Sequence, residues 1–233
     1  MSMELKNASP SKTMTYAQFS KLANRESAIK RLEKIAKTNL KNCLRLLIHN
    51  EVNGIQFFRF SSKLIPLANH PDLKDWNYMA GIKEETSAIK EYLKKHSQMR
   101  IDFHPDHFVV LNSEDKNILK TSIKTLRMHF RLLKAFGLSP KHRCVLHIGG
   151  LYQDKEQALE QFIHNWGYVP ADIQEMIILE NDDTLFGIQD TLYLCEKLSI
   201  PMVFDLHHHK LNCQGDWKDH WPRIVQTWSN SSL

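Results

Sequence analysis

CVLHIGG at Cys144–Gly150, MIILEND at Met176–Asp182 and PMVFDLHHH at Pro201–His209 decide how this chain is read. Each holds a short, nearly continuous apolar run that predicts a strand, Cys144–Ile148, Met176–Glu180 and Pro201–Leu206, with a side chain able to bind a metal toward its end: His147, Glu180 and Asp205. Strands buried on both faces look like this, whereas strands with one wet face alternate apolar and polar residues. The stretches between them, Lys155–Trp166 and Thr184–Leu198, repeat their apolar residues near a period of 3.6 and predict helices. Toward the N-terminus, IQFFRF (Ile55–Phe60) and Met99–Phe103 predict two more strands. Tyr16–Asn50, Ile82–Ser97 and Ser113–Phe136 predict helices; Asn53-Gly54 ends the first, and the last has Ser113 as N-cap and Gly137 as its stop. Asp216–Trp228 predicts a final helix.

This alternation predicts an α/β fold with parallel strands. Polar residues fall at the C-terminal end of every strand: Ser61 and Ser62, then His104, His147, Glu180 and Asp205. In a parallel barrel those ends share the rim where active sites are built. An open doubly wound sheet normally carries a glycine-rich phosphate loop after its first strand, and this chain has none there. The expectation is a TIM (β/α)8-type barrel forming one domain over residues 1–233. Five strands and six helices fall short of eight units, so the barrel is expected to be incomplete. One strand would be missing before Met1 and two βα units after Leu233; the closing WSNSSL stops where the next strand would be due.

Composition limits the alternatives. Aliphatic and aromatic residues recur throughout, which excludes a disordered chain. No apolar run approaches the roughly 20 residues of a membrane helix, and the N-terminus lacks the apolar core of a secretory signal. The four cysteines, Cys43, Cys144, Cys195 and Cys213, form no CxxC pair, which excludes a zinc ribbon and a thioredoxin motif. They are read as reduced thiols of a cytoplasmic protein. Residues 1–142 carry 25 Lys and Arg against 13 Asp and Glu, and residues 143–233 carry 6 against 13. The first part is therefore +12 and the second −7. A basic half suits a polyanion such as nucleic acid, and it also suits nothing more than solvated helix faces.

The rim residues carry the chemistry. His70, His104, His147, Glu180, Asp205 and His208 are imidazoles and carboxylates, the donor set of Mn²⁺, Zn²⁺ or Fe²⁺. One such histidine is more often a hydrogen-bonded structural residue; recurrence on successive strands is what indicates a site. Several ions suit phosphodiester hydrolysis, with Glu180 and Asp205 as bridging carboxylates.

ELKNASPSKTMTY, RFSSKLIPLANHP, DFHPDHFVVLNS, LHIGG, LENDD and VFDLHHHKLN together resemble the blocks of the UV damage endonucleases (UvsE/UVDE), in that family's order and over nearly the whole chain. The resemblance implies a TIM barrel related to apurinic endonucleases of the endonuclease IV type and to xylose isomerases. It implies two or three divalent ions, typically Mn²⁺, in a complete enzyme. It implies UV-damaged double-stranded DNA as the partner, cut immediately 5′ to the photoproduct to start excision repair. The implied metal ligands are His70, His104, His147, Glu180, Asp205 and His208, with Glu180, His147 and Asp205 at the catalytic centre. It also implies that His107 and Phe108 enter the DNA to fill the gap left by the flipped lesion. Here the sequence departs from the family's HPGQ-aromatic pattern, with Asp106 for Gly and His107 for Gln. The family's first strand, with a Gly-Tyr pair, and its later Lys, His and Glu ligands have no counterpart in this chain. Weak metal retention and little incision are the resulting expectation.

Other residues have two readings each. Ser61 and Ser62 bind phosphate or cap a loop. Lys210 lies near a phosphate or in solvent. Phe108 wedges into DNA or packs under its loop with Val109 and Val110. Asp182 and Asp183 cap a helix near Thr184, or Asp183 orients a ligand histidine. At least one of His207 and His209 supports the ligands from behind or is exposed. Trp217, Trp221 and Trp228 form outer barrel core or an exposed patch. A sugar isomerase or epimerase on a related barrel, and a truncated barrel that only binds DNA, are the competing functions. The chain is expected to be a monomer with no membrane and no protein partner.

Overall fold

The computed structural model describes residues 5–229, so residues 230–233 of the closing WSNSSL lie outside the described part. The chain divides into two compact units, Met1–His104 with Arg131–Ser139, and Pro105–Phe130 with Pro140–Leu233.

In the first unit a capping box of Thr15 and Gln18 opens a five-residue helix, α1 (Tyr16–Ser20). A second helix, α2 (Arg25–Val52), starts afresh behind Asn24, whose side chain accepts from the Ser27 N–H at 2.8 Å. The single helix predicted over Tyr16–Asn50 is thus two. Asn24 is extended, and its carboxamide competes with the backbone for the helix's first N–H groups. Along α2, Leu32, Ala36, Leu40, Cys43 and Leu47 are fully buried at helical spacing, while Arg31, Lys34, Lys41 and Arg45 are exposed. Much of the basic charge is therefore a solvated helix face. Gly54, at φ +70°, lets the chain turn out of α2. Strand β1 (Phe57–Ser61) follows, then a 3₁₀ turn (Pro71–Leu73), α3 (Tyr78–Gly81), α4 (Lys83–Lys95) and β2 (Arg100–His104). The two strands are parallel, in register from Phe57↔Arg100 to Ser61↔His104. Phe60 packs on Phe103 (5.4 Å between centroids) and on Phe136 (4.9 Å). Each such fully buried ring contributes roughly 1.5–3 kcal/mol.

Helix α5 (Lys116–Ala135) gives its first fifteen residues to the second unit. There follow β3 (Cys144–Leu146), α6 (Lys155–Trp166), α7 (Ala171–Gln174), β4 (Ile177–Glu180), α8 (Ile188–Leu198), β5 (Met202–Val203), α9 (Leu206–Leu211) and α10 (Trp217–Gln226). Strands β3 and β4 are parallel (Leu146↔Leu179), as are β4 and β5 (Glu180↔Val203). Every residue of β4 is buried, as its unbroken apolar run predicts. Helix α6 matches its predicted bounds, capped by Asp154.

Three predicted boundaries move because a side chain captures backbone N–H groups. Helix α5 starts at Lys116 because Asp115 accepts from the Asn117 N–H (2.7 Å), while Ser113 accepts from Asp115 N–H one step earlier. Thr184–Phe186 is a turn wrapped on Asp182, whose Oδ1 accepts from all three of its N–H groups, so α8 starts only at Ile188. The strand predicted over Pro201–Leu206 shrinks to two residues because Asp205 caps α9. Trp217 and Trp221 pack with Phe204 (5.5 and 6.3 Å), and Trp221 is 46% exposed. Trp228 lies beyond α10 and donates its indole N–H to the Met202 carbonyl at 2.6 Å. The cysteines are free thiols, three of them buried. Among the described residues no helix is long and apolar enough to cross a membrane. The class is α/β with parallel strands, TIM-barrel-like, with five strands among the described residues against the eight of a closed barrel.

Candidate metal centre

Strand β3 delivers His147 one residue past its end, and β4 delivers Glu180 as its last residue. Parallel pairing sets the two ends beside each other. His147 Nδ1 lies 3.2 Å from the backbone oxygen of Glu180. A carbonyl only accepts, so Nδ1 carries the proton and Nε2 is the acceptor nitrogen. Nε2 faces the Glu180 carboxylate at 3.6 Å. An imidazole lone pair opposite a carboxylate that is only 2% exposed is an arrangement that calls for a cation between them. The separation suits two donors each about 2.0–2.2 Å from one ion.

His208 repeats the pattern. Its Nδ1 donates to the backbone oxygen of Asn181 at 2.9 Å, which makes Nε2 the acceptor, and its ring centroid is 5.5 Å from that of His147. Three residues earlier, Asp205 spends Oδ1 on the N–H groups of His207 (2.7 Å) and His208 (3.0 Å). Its Oδ2 stands 3.9 Å from His208 Nδ1, outside hydrogen-bond reach. The second unit thus sets His147 and Glu180 at ion-sharing distance, with the His208 ring beside that of His147 and Asp205 beside His208. By donor chemistry and tautomer they fit a divalent transition metal. Of the two flanking histidines, His207 is exposed and His209 is buried (4% exposed), with its ring 5.7 Å from Phe204.

In the first unit Ser61 and His104 are register partners at the ends of β1 and β2. Ser61 caps its own loop, accepting from the Lys63 N–H at 3.1 Å. His70 is set differently from the other imidazoles. It caps the 3₁₀ turn by accepting the Asp72 N–H on Nδ1 (3.2 Å), which places its proton on Nε2. It stacks on Tyr16 at 3.9 Å, and the Asp72 carboxylate beside Tyr16 holds that phenol above the usual tyrosine range.

Past Pro105 the loop exposes its aromatic pair. Phe108 is 75% exposed and Val109 only 8%, so the residue that packs under the loop is Val109. The His107 ring is tilted over Phe108 at 4.1 Å, with Nδ1 held 2.9 Å from Asp106. Lys210 is exposed and Ser62 half-buried.

Two buried asparagines escaped the sequence reading. Asn112 donates to the Gly150 carbonyl (2.7 Å) and accepts its N–H (3.1 Å), gripping the loop that follows His147. Asn181 makes the same reciprocal pair with Asp205, at 3.0 and 2.9 Å. The only local signal was an amide placed directly at the end of an apolar run, as in LENDD.

Parallel β/α units with carbonyl-oriented histidines and a buried carboxylate at the strand ends define an α/β protein of the barrel type with a candidate metal site. The family model described as UV-endonuclease UvdE matches residues 1–233. A UV DNA damage endonuclease of Halalkalibacterium halodurans is 55% identical over 234 residues, spanning 100% of this chain and 72% of the relative. One from Bacillus thuringiensis subsp. konkukian is 36% identical, spanning 99% and 72%. The crystal structure of SacUVDE, 32% identical, superposes with a TM-score of 0.84 over 96% of this chain and 73% of that one. This chain belongs to the UV-endonuclease UvdE family, and the two relatives above are named UV DNA damage endonucleases. Membership favours the nuclease over the sugar-isomerase alternative.

Proposed function

We propose that this protein hydrolyses the phosphodiester immediately 5′ to UV photoproducts in double-stranded DNA and needs divalent ions, Mn²⁺ foremost, to do so. The observation that carries the metal dependence is the His147–Glu180 pair, with Nε2 aimed at a buried carboxylate and its tautomer set by a backbone carbonyl. His147, Glu180, Asp205 and His208 are the proposed donors of the second unit, and His104 is a proposed donor of the first. His70 joins the set only by giving up its hydrogen bond from Asp72.

Bound there, a divalent ion supplies Lewis acidity toward the phosphoryl group and lowers the pKa of water. The chain's residues do the rest. Glu180 and Asp205 bring the negative charge that balances the ions. Ser61, whose oxygen already accepts from Lys63 N–H, has its O–H to donate to a phosphate, and Ser62 and Lys210 are placed in the same role. His107 and Phe108 enter the helix at the lesion; their exposure supports this. A flat ring in the base stack offsets lost stacking, and a photodimer costs less to extrude than a well-paired base.

The test is a 5′-labelled duplex with one thymine dimer, incubated with protein and Mn²⁺ or with EDTA, beside a calorimetric Mn²⁺ titration. A Mn²⁺-dependent product ending at the phosphodiester 5′ to the dimer is expected, in low yield. Cutting that persists undiminished in EDTA, or a protein that takes up no Mn²⁺, defeats the proposal.

A further inference from the structure

Strand β5 is two residues long, and its pairing with β4 ends at Glu180↔Val203. Beyond Val203 no strand ladder carries the register, yet Asp205 and His208 lie there. The Asn181 side chain takes over. It is fully buried (0% exposed) and its carboxamide, shaped like a peptide unit, accepts the Asp205 N–H and donates to the Asp205 carbonyl. Its own backbone carbonyl accepts Nδ1–H of His208. Asp205 in turn caps α9, which carries His208 half a turn further on.

We propose that Asn181 is a positioning residue for the metal centre, holding Asp205 and His208 in ligand register; the inference rests on the metal-dependent reading above. Its side chain sets the backbone of Asp205 and, through it, the start of α9, which holds His208 where the backbone carbonyl of Asn181 fixes the ring tautomer. The residue type follows from the geometry. The position needs one donor and one acceptor on the same planar group. Asp would set an oxygen against the Asp205 carbonyl and add an anion next to Glu180. Leu would leave both backbone groups of Asp205 buried without their partner.

A matched control exists in the other unit. Asn39, also fully buried, makes the same reciprocal pair with Lys12, at 2.9 Å each way. The experiment compares the 233-residue protein with Asn181→Ala, the milder Asn181→Ser, and Asn39→Ala. Three quantities are read: Mn²⁺ affinity by titration calorimetry, the apo His208 tautomer by ¹⁵N NMR, and the melting temperature. Both Asn181 variants are expected to bind Mn²⁺ about 10- to 100-fold more weakly, the range for losing a residue that orients a ligand. The backbone carbonyl of residue 181 remains in both, but with Asp205 released the start of α9 shifts His208 away from it, so the His208 signal should move from the Nδ1–H form toward a mixture. Asn39→Ala should lower the melting temperature yet leave affinity and tautomer unchanged. Unchanged affinity and tautomer in Asn181→Ser, or equal weakening by Asn39→Ala, overturns the inference. A wild-type protein that binds no Mn²⁺ defeats the proposed function instead. The tautomer then decides this inference alone: kept in Asn181→Ser it fails, lost it stands.

Discussion

Glu180 keeps a carboxylate almost out of water at the end of β4, beside the acceptor nitrogen of His147. Burying an anion costs stability unless a cation or hydrogen bonds compensate. Glu180→Gln keeps the shape and removes the charge. We expect its Mn²⁺ affinity to fall more than about 100-fold, beyond the loss from a residue that merely supports a ligand. Titration calorimetry measures it. Phe108 is the opposite case, a large apolar ring left in solvent. Phe108→Ala should change folding stability by less than about 0.5 kcal/mol, as for other surface sites. Binding to an irradiated duplex should weaken by about 1–3 kcal/mol, the usual worth of one ring stacked on a base. Fluorescence anisotropy against irradiated and undamaged duplexes measures it.

The strand-to-loop junctions place the donors, and each depends on one side chain that closes a turn. After β3 the backbone passes through Gly149 at φ +126°, where the Asn112 carboxamide sits so close that a Cβ would overlap its Oδ1. Gly149→Ala therefore meets both a strained backbone and a clash with the grip on Gly150. A loss of at least about 1–3 kcal/mol is expected, read as a lower urea midpoint, together with weaker Mn²⁺ binding because His147 lies two residues upstream. After β4 the turn is wrapped on Asp182, and after β5 α9 is capped by Asp205. A residue that supplies a donor also supplies the cap, which is why the short α9 forms at all despite carrying three successive histidines.

Acid sensitivity belongs to the molecule as a whole, and His129 on α5 sets part of it. It is fully buried, and burial pushes its pKa from the ordinary 6.5 down to about 3. In the folded protein the ring stays neutral; in the unfolded chain it takes a proton below about pH 6.5. The stability that depends on His129 is complete above that pH and is lost as the pH falls toward 3, by up to about 1.4 kcal/mol per unit. His129→Leu should flatten the dependence between pH 6.5 and 4, measured as urea midpoints. An unaltered slope would show that other groups govern the acid transition. The basic charge of residues 1–142 is also a property at this scale. On α2 it lies opposite the buried stripe, so composition signalled a polyanion partner more strongly than the placement of these residues does.

The sequence by itself determined the β–α alternation, the parallel strands, the bounds of α6 to the residue, and a donor inventory with His147, Glu180, Asp205 and His208 in it. Apolar runs and helical periods are local, so they can be read one segment at a time. Only the tertiary structure decided that Asp205 is a helix cap and not the end of a strand, and that His208 is half-buried while His209 is buried. It also decided that His147 and His208 carry their protons on Nδ1 while His70 does not. The seat of Asp205 and the tautomers of His147 and His208 rest on hydrogen bonds between residues 24 to 33 positions apart in the chain, as for Asn181 with Asp205 and His147 with Glu180, whereas the His70 proton is set by Asp72 two residues on. No window along a single sequence contains both partners of such a bond; folding the strands side by side is what brings them within reach.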